Sequence, residues 1–157
     1  MQGGIRVISN ERYHDISCGH RVCGHETKCR FLHGHNYRIT FTCTSEALDG
    51  LGRVIDFSVI KETLCEWLEQ QWDHKMLLWE HDPLLAQMQA LDTAGPAFQA
   101  LAGAFGESVV AVSFNPTAEN MAAHLLNVIG PHCLAGTGVR LARVRVEETR
   151  KCSATAE

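Results

Sequence analysis

The chain has 157 residues, 45% hydrophobic and 20% charged, with a formal net charge of −4. That length suits one domain, and the composition excludes an intrinsically disordered chain. The negative balance speaks against a nucleic-acid binder driven by phosphate contacts, and no apolar run approaches the roughly 20 residues that span a membrane.

The first strand region is expected from Ile5 to Ile16, followed by a loop rich in Gly, Cys and charge from Gly19 to Arg30. His33 to Thr44 is the clearest strand. Its odd positions carry His33, His35, Tyr37, Ile39, Phe41 and Cys43, and its even positions Asn36, Arg38, Thr40, Thr42 and Thr44. Such alternation marks a half-buried antiparallel strand. Asp49-Gly50 and Gly52 mark a turn. A helix is expected over Ser58 to Gln71, where Ile60, Leu64, Trp67 and Leu68 form one apolar stripe and Asp56 or Ser58 caps the start. His81 to Glu107 has short helical patterns broken by Pro83, Gly95-Pro96, Gly103 and Gly106. The stretch from about 80 to 113 therefore reads as an insertion within a single domain of 1–157. Val109 to Phe114 reads as a small strand. Asn115-Pro116-Thr117 opens a second helix, which Gly130-Pro131 is expected to end. Val139 to Thr149 is the final strand. Helices segregated from an antiparallel sheet give the fold class α+β.

The nine His and seven Cys stand out, because both residue types are chemically active. The Cys number is odd, their spacing is irregular and there is no CxxC pair. Met1-Gln2-Gly3-Gly4 shows no basic region followed by an apolar stretch. Reduced thiols in a cytoplasmic compartment are the expectation.

Five His fall between positions 14 and 35. In His33-Gly34-His35 the two imidazoles project to one side of a strand, because residues i and i+2 share a face. They also share the face of Tyr37, Ile39 and Phe41, which is the buried one. Two inward histidines need a partner, and Zn²⁺ takes neutral imidazole well. Antiparallel pairing can bring His20 beside them as a third ligand. Three His with an open position form a catalytic zinc pattern. His14 and His25 are spare candidates. Cys29, four positions before His33, either closes a Cys-His₃ zinc site or acts as a nucleophile or base near the metal, its pKa lowered by the cation, Lys28 and Arg30. Asp73-His74 ends the first helix, and such a neighbouring pair is more often a surface pair than a proton relay. On the last strand Ala142, Val144, Val146 and Glu148 are expected on one face, with Arg143, Arg145, Glu147 and Thr149 on the other. Glu148 thus continues an apolar face, where a carboxylate needs a partner such as the N–H groups of an amino-pyrimidinone ring; the alternative is a strand-end carboxylate reaching solvent.

Cys29-Arg-Phe-Leu-His-Gly-His-Asn-Tyr37, Gly52-Arg-Val-Ile-Asp-Phe57, Asp73-His74-Lys75, Pro116-Thr-Ala-Glu-Asn120 and Val146-Glu-Glu-Thr149 occur in this order. Together they resemble the 6-pyruvoyl-tetrahydropterin synthase/6-carboxy-tetrahydropterin synthase superfamily, from Ile16 to Thr149. The short gap between Cys29 and His33 resembles the bacterial 6-carboxy-tetrahydropterin synthases of the 7-deazaguanine (queuosine) pathway. The resemblance implies a tunnelling fold: a four-stranded antiparallel sheet with two helices on one face, whose trimers close into a barrel and pair into a homohexamer with active sites between subunits. It implies Zn²⁺ on His20, His33 and His35, Cys29 as catalytic thiol, Asp73 and His74 as relay, and Glu148 as pterin anchor. It further implies a carbon–carbon lyase acting on 7,8-dihydroneopterin triphosphate. The sequence departs from the family pattern at Cys18-Gly19, where two alanines are usual, and at Leu77-Leu78, where an asparagine is often found. Arg21, Lys28, Arg30 and Arg53 are candidates for meeting the triphosphate.

Overall fold

The computed structural model describes residues 7–90, 95, 96 and 105–157. Its centre is a pair of long antiparallel strands, β1 (Ser9–His20) and β2 (His33–Ser45), in register from Ser9↔Thr44 to His20↔His33. β5 (Val139–Thr149) pairs antiparallel to β2, and β6 (Cys152–Ala156) antiparallel to β5. On the other side β3 (Met76–Trp79) runs parallel to β1, and β4 (Val109–Val112) parallel to β3. The order is β4-β3-β1-β2-β5-β6.

Among the described residues the sheet thus has six strands, in place of the expected four, and is mixed rather than wholly antiparallel. β3 escapes pattern reading because it is short and covered on both faces: Leu77 and Leu78 are adjacent and both fully buried. A strand covered on both faces shows a continuous apolar run, which carries no alternation. β1 also starts and ends later than expected. Ile5 and Arg6 lie outside the described residues, and the strand continues through Cys18-Gly19 to His20. Two glycines make that possible. Gly19 and Gly34 face each other across the pair. A Cβ on Gly19 would meet Met76 Cε at 2.4 Å, and one on Gly34 would meet the Cys18 carbonyl oxygen at 3.0 Å.

One continuous helical rod comprises α1 (Phe57–Ile60), a wider π turn (Lys61–Cys65) and α2 (Glu66–Gln71). The Asp56 carboxylate caps it, accepting the Ser58 N–H at 2.8 Å. A second rod comprises α4 (Ala118–His124), a π turn (Leu125–Ile129) and α5 (Gly130–Cys133), with Thr117 as its cap. It does not stop at Gly130-Pro131 as expected. The widened turn just before Pro131 lets the chain continue, since such turns absorb the proline's missing N–H and bulk. Between the rods, α3 (Pro83–Ala90) and β4 lie in the stretch read as an insertion. Both rods cover one sheet face. Ile60, Leu64, Leu68, Met121 and Leu125 bury there against Ile39, Phe41, Val144 and Val146. No described helix is long and apolar enough to cross a membrane.

Candidate metal centre and active site

The buried sheet face ends in a cluster of imidazoles. His20 and His33 are direct cross-strand partners, and His35 follows His33 by two residues on the same face. The ring centroids lie 4.4 Å (His20–His33), 5.0 Å (His33–His35) and 5.3 Å (His20–His35) apart. One nitrogen from each lies within 4.8 Å of the others, an arrangement that can hold a metal ion.

Two of the rings are oriented by backbone carbonyls. His20 Nδ1–H donates to the Pro116 oxygen at 2.7 Å, and His33 Nδ1–H donates to the Phe31 oxygen at 2.8 Å. Each bond fixes the tautomer that leaves the Nε2 lone pair free, which is how metal-binding histidines are held. His20 is 1% exposed. Burial holds its pKa, and that of His35, below the ordinary imidazole value, so the neutral ligand form is favoured.

The donor set fits a metal on a further ground. The Tyr37 hydroxyl lies 3.1 Å from His20 Nε2 and 3.3 Å from Glu148 Oε1. It has one hydrogen for two acceptors. Burial raises the phenol's pKa, with the neighbouring Cys18 and Glu148 adding to the effect, so it stays protonated. A cation on the three Nε2 atoms would satisfy the His20 lone pair and leave the phenol to donate to Glu148. Glu148 Oε1 itself lies 3.6 Å from Nε2 of both His20 and His35. The strand-face expectation for β5 needs amendment. A bulge near Ala142 turns Leu141 inward opposite Cys43, and a second irregularity opposite β6 falls at Glu148. Glu148 still reaches the histidines, while Glu147 bonds Arg145 at 3.3 Å.

Cys29 sits half-buried on a short 3₁₀ turn, Lys28–Arg30, whose backbone is tied down by the Val22 N–H donating to the Cys29 carbonyl at 2.8 Å. It is not one of the ligand atoms that converge within 4.8 Å.

Asp73 and His74 are placed differently. They clip onto the edge of β1: the Ser17 N–H donates to Asp73 Oδ1 at 2.8 Å, and the His74 N–H donates to the Ser17 carbonyl at 2.7 Å. His74 Nδ1 bonds Asp73 Oδ2 at 2.6 Å. Burial pulls the Asp73 carboxyl upward, but the Ser17 N–H and the His74 ring outweigh it and hold the carboxyl below its ordinary range. The His74 backbone has φ +56°, a strained conformation for a non-glycine residue, and its side chain is 82% exposed. It lines a cleft of about 630 Å³ on the face opposite the two rods with Asp15, Arg38 and Glu147. It also borders a cavity of about 590 Å³ that includes His35, Met76 and Met88.

The spare candidates have other partners. His14 Nε2 bonds Glu69 at 2.7 Å, and His25 Nδ1 accepts the Thr27 N–H at 3.0 Å. Among the proposed triphosphate contacts, Arg21 is forked onto Asp82 and Arg53 onto Asp49 and Asp56. The Pro116 and Phe31 carbonyls were invisible in the sequence, since any residue supplies a carbonyl. Tyr37 was legible as an inward neighbour of the histidines, but not as a hydrogen-bonding one.

Residues 9–157 match the family model described as 6-pyruvoyl tetrahydropterin synthase. The chain belongs to that family. Relatives named 6-carboxy-5,6,7,8-tetrahydropterin synthase include those of Rickettsia felis and Rickettsia typhi. They are 32% and 33% identical over 146 residues, 93% of this chain and 97% of each relative. Among solved structures, an uncharacterised protein from Wolinella succinogenes superposes with a TM-score of 0.80 at 24% identity, covering 96% of this chain and 98% of the other. The Caenorhabditis elegans 6-pyruvoyl tetrahydropterin synthase gives 0.63 at 21%, covering 97% and 96%. At these identities the likeness establishes the fold, the curled α+β sheet with helices on one face that the family resemblance implied.

Proposed function

We propose that the protein is a zinc-dependent lyase converting 7,8-dihydroneopterin triphosphate and water to 6-carboxy-5,6,7,8-tetrahydropterin, acetaldehyde and triphosphate, as a step toward 7-deazaguanines such as queuosine. The observation that carries this reading is the trio His20, His33 and His35, with two rings locked in the ligand tautomer and Glu148 beside them. The names of the relatives favour the carboxy product. Zn²⁺ bound there would make the substrate's side-chain hydroxyls more acidic. Cys29, as thiolate, moves a proton at the side-chain carbon. His74, oriented by Asp73, is the second acid–base group. Glu148 accepts N–H bonds from the pterin ring, with the Tyr37 phenol occupying one of its oxygens. Because His74 lies exposed at a sheet edge, the reading includes completion of each site by another copy, in a homohexamer of paired trimers, and a cytoplasmic setting.

The family model's own description favours a second reading, 6-pyruvoyl-tetrahydropterin synthase activity, which eliminates triphosphate without cleaving a carbon–carbon bond. One assay separates the two. Purified zinc-loaded protein is incubated with dihydroneopterin triphosphate and the products are read by mass spectrometry. Acetaldehyde with the carboxy-pterin is expected. A pyruvoyl product moves the assignment to the second reading, and neither product with zinc intact refutes both. Cys29→Ala is expected to abolish turnover while zinc content stays full. Loss of zinc in that variant would instead indicate a structural Cys-His₃ site in a non-catalytic module.

A further inference from the structure

Arg21 follows His20 directly, and its side chain is only 22% exposed. It forks onto Asp82, with Nη2 donating to Oδ1 at 2.7 Å and Nε donating to Oδ2. The Asp82 side chain is 0% exposed. A buried carboxylate is tolerated only when its charge is paired and its lone pairs are filled, and a planar fork does both. Asp82 is held from its own side as well. Its N–H donates to the Trp79 carbonyl, and its carboxylate accepts the Leu84 N–H, both at 2.8 Å, just where α3 begins. It is therefore the anchored partner, and Arg21 is the positioned one. The remaining guanidinium nitrogen, Nη1, points to the Arg30 carbonyl at 3.5 Å. One residue further on, the Val22 N–H donates to the Cys29 carbonyl. Residues 21 and 22 thus support residues 29 and 30, and the support runs back to Asp82.

We infer that the Arg21–Asp82 pair is a positioning strut that sets the Cys29 turn relative to His20. The stretch read as an insertion contains the strut's anchored end. Arg21 acts through its neighbours and need not touch substrate. The catalytic side of this inference rests on the role proposed for Cys29, but the strut itself has a readout that needs no turnover.

The test uses the full-length zinc-loaded protein and two variants, Asp82→Asn and Arg21→Lys. Asparagine keeps the size and the capping oxygen of Asp82, and lysine keeps a charge for the buried carboxylate. Alkylation by iodoacetamide is followed cysteine by cysteine by mass spectrometry, with the exposed Cys152 as internal reference. Release of the turn is expected to speed alkylation of Cys29 by about threefold or more, with Cys152 unchanged, because access governs thiol reactivity alongside the thiolate fraction. Zinc content should stay full. In the product assay kcat should fall about tenfold to a hundredfold with little change in KM, the effect of misplacing a reacting group by an ångström. An unchanged Cys29 rate in a folded variant overturns the strut, as does equal acceleration at every cysteine. If Asp82→Asn does not fold, Arg21→Lys carries the same comparison. Failure of wild-type turnover would remove the proposed function, while the Cys29 alkylation rates would still judge the strut.

Discussion

The two faces of the β1–β2 pair carry the same residue types and treat them in opposite ways. On the helix-covered face, His20, His33, His35, Tyr37 and Glu148 form a packed cluster with ring orientations fixed by carbonyls. On the face opposite the rods, Asp15 pairs with Arg38 at 2.8 Å, Glu147 with Arg145, and Asp73 with His74, all at least partly in water. Burial makes the difference. A buried imidazole disfavours protonation and must find partners, so it becomes a defined ligand; a solvated ion pair is screened and adds little stability. Chemistry that needs a rigid donor set belongs on the first face. A proton shuttle that has to meet a substrate or a second copy can sit on the second.

The largest expected effect tests whether the covered cluster is the metal site. His33→Ala should weaken zinc binding by more than about a hundredfold, because losing even an outer partner of a ligand costs about ten- to a hundredfold. His25→Ala should leave it unchanged. Metal content after dialysis against a graded chelator checks this, and equal loss in both variants would break the distinction between clustered and solvated histidines. Next in size is the comparison of neighbouring carboxylates that point to opposite faces. Glu148→Ala should weaken pterin binding by about ten- to a hundredfold, the scale of charge-assisted hydrogen bonds. Glu147→Ala should not. Calorimetric titration with a pterin is the measurement, and equal affinities would end the argument from faces.

The smallest effect concerns His124, half-buried between Trp72 and Phe114 at ring distances of 6.2 and 4.9 Å. Burial lowers its pKa in the folded protein. The unfolded chain therefore takes up the proton first as pH falls below about 6.5. Stability from this residue is present above that pH and is lost on acidification through the folded-state value. Melting temperatures of metal-free wild type and His124→Phe, compared between about pH 7.5 and 5, should diverge in that direction, with the variant flatter. Parallel curves would show that the ring is not desolvated as its packing implies.

Much of the site could be read from residue order, because its geometry is local. His33-Gly34-His35 and Tyr37 declare their shared face through the period of two, and Glu148 lies beyond Val144 and Val146, which are inward in the fold. Even there the reasoning needed amendment. The bulge near Ala142 exchanges Ala142 for Leu141 on the inner face, and a bulge has no sequence signature unless a glycine marks it. Asp73-His74 was recognisable as a motif, but its exposure at the edge of β1 was not. Helix endings were less legible. Pro131 would normally stop a helix, yet the π turn before it carries the rod on to Cys133. The two unexpected strands, β3 and β6, are four and five residues long. Strands that short lack room for a pattern, and β3 is buried on both sides.

By itself the amino-acid sequence determined the α+β class, the two amphipathic rods, the family and the identity of the three clustered histidines. The class and the rods follow from periodicity and the His33/His35 pair from a spacing of two residues, whereas the family and His20 as the third histidine follow from the resemblance of five motifs spread along the chain. The tertiary structure alone decided the sheet's six-strand order, the carbonyls of Phe31 and Pro116 that set the imidazole tautomers, and the pairing of Arg21 with Asp82. The reason is physical. Side-chain periodicity is written in the chain, whereas a backbone carbonyl looks the same at every residue and an ion pair 61 residues apart exists only once the chain has closed on itself.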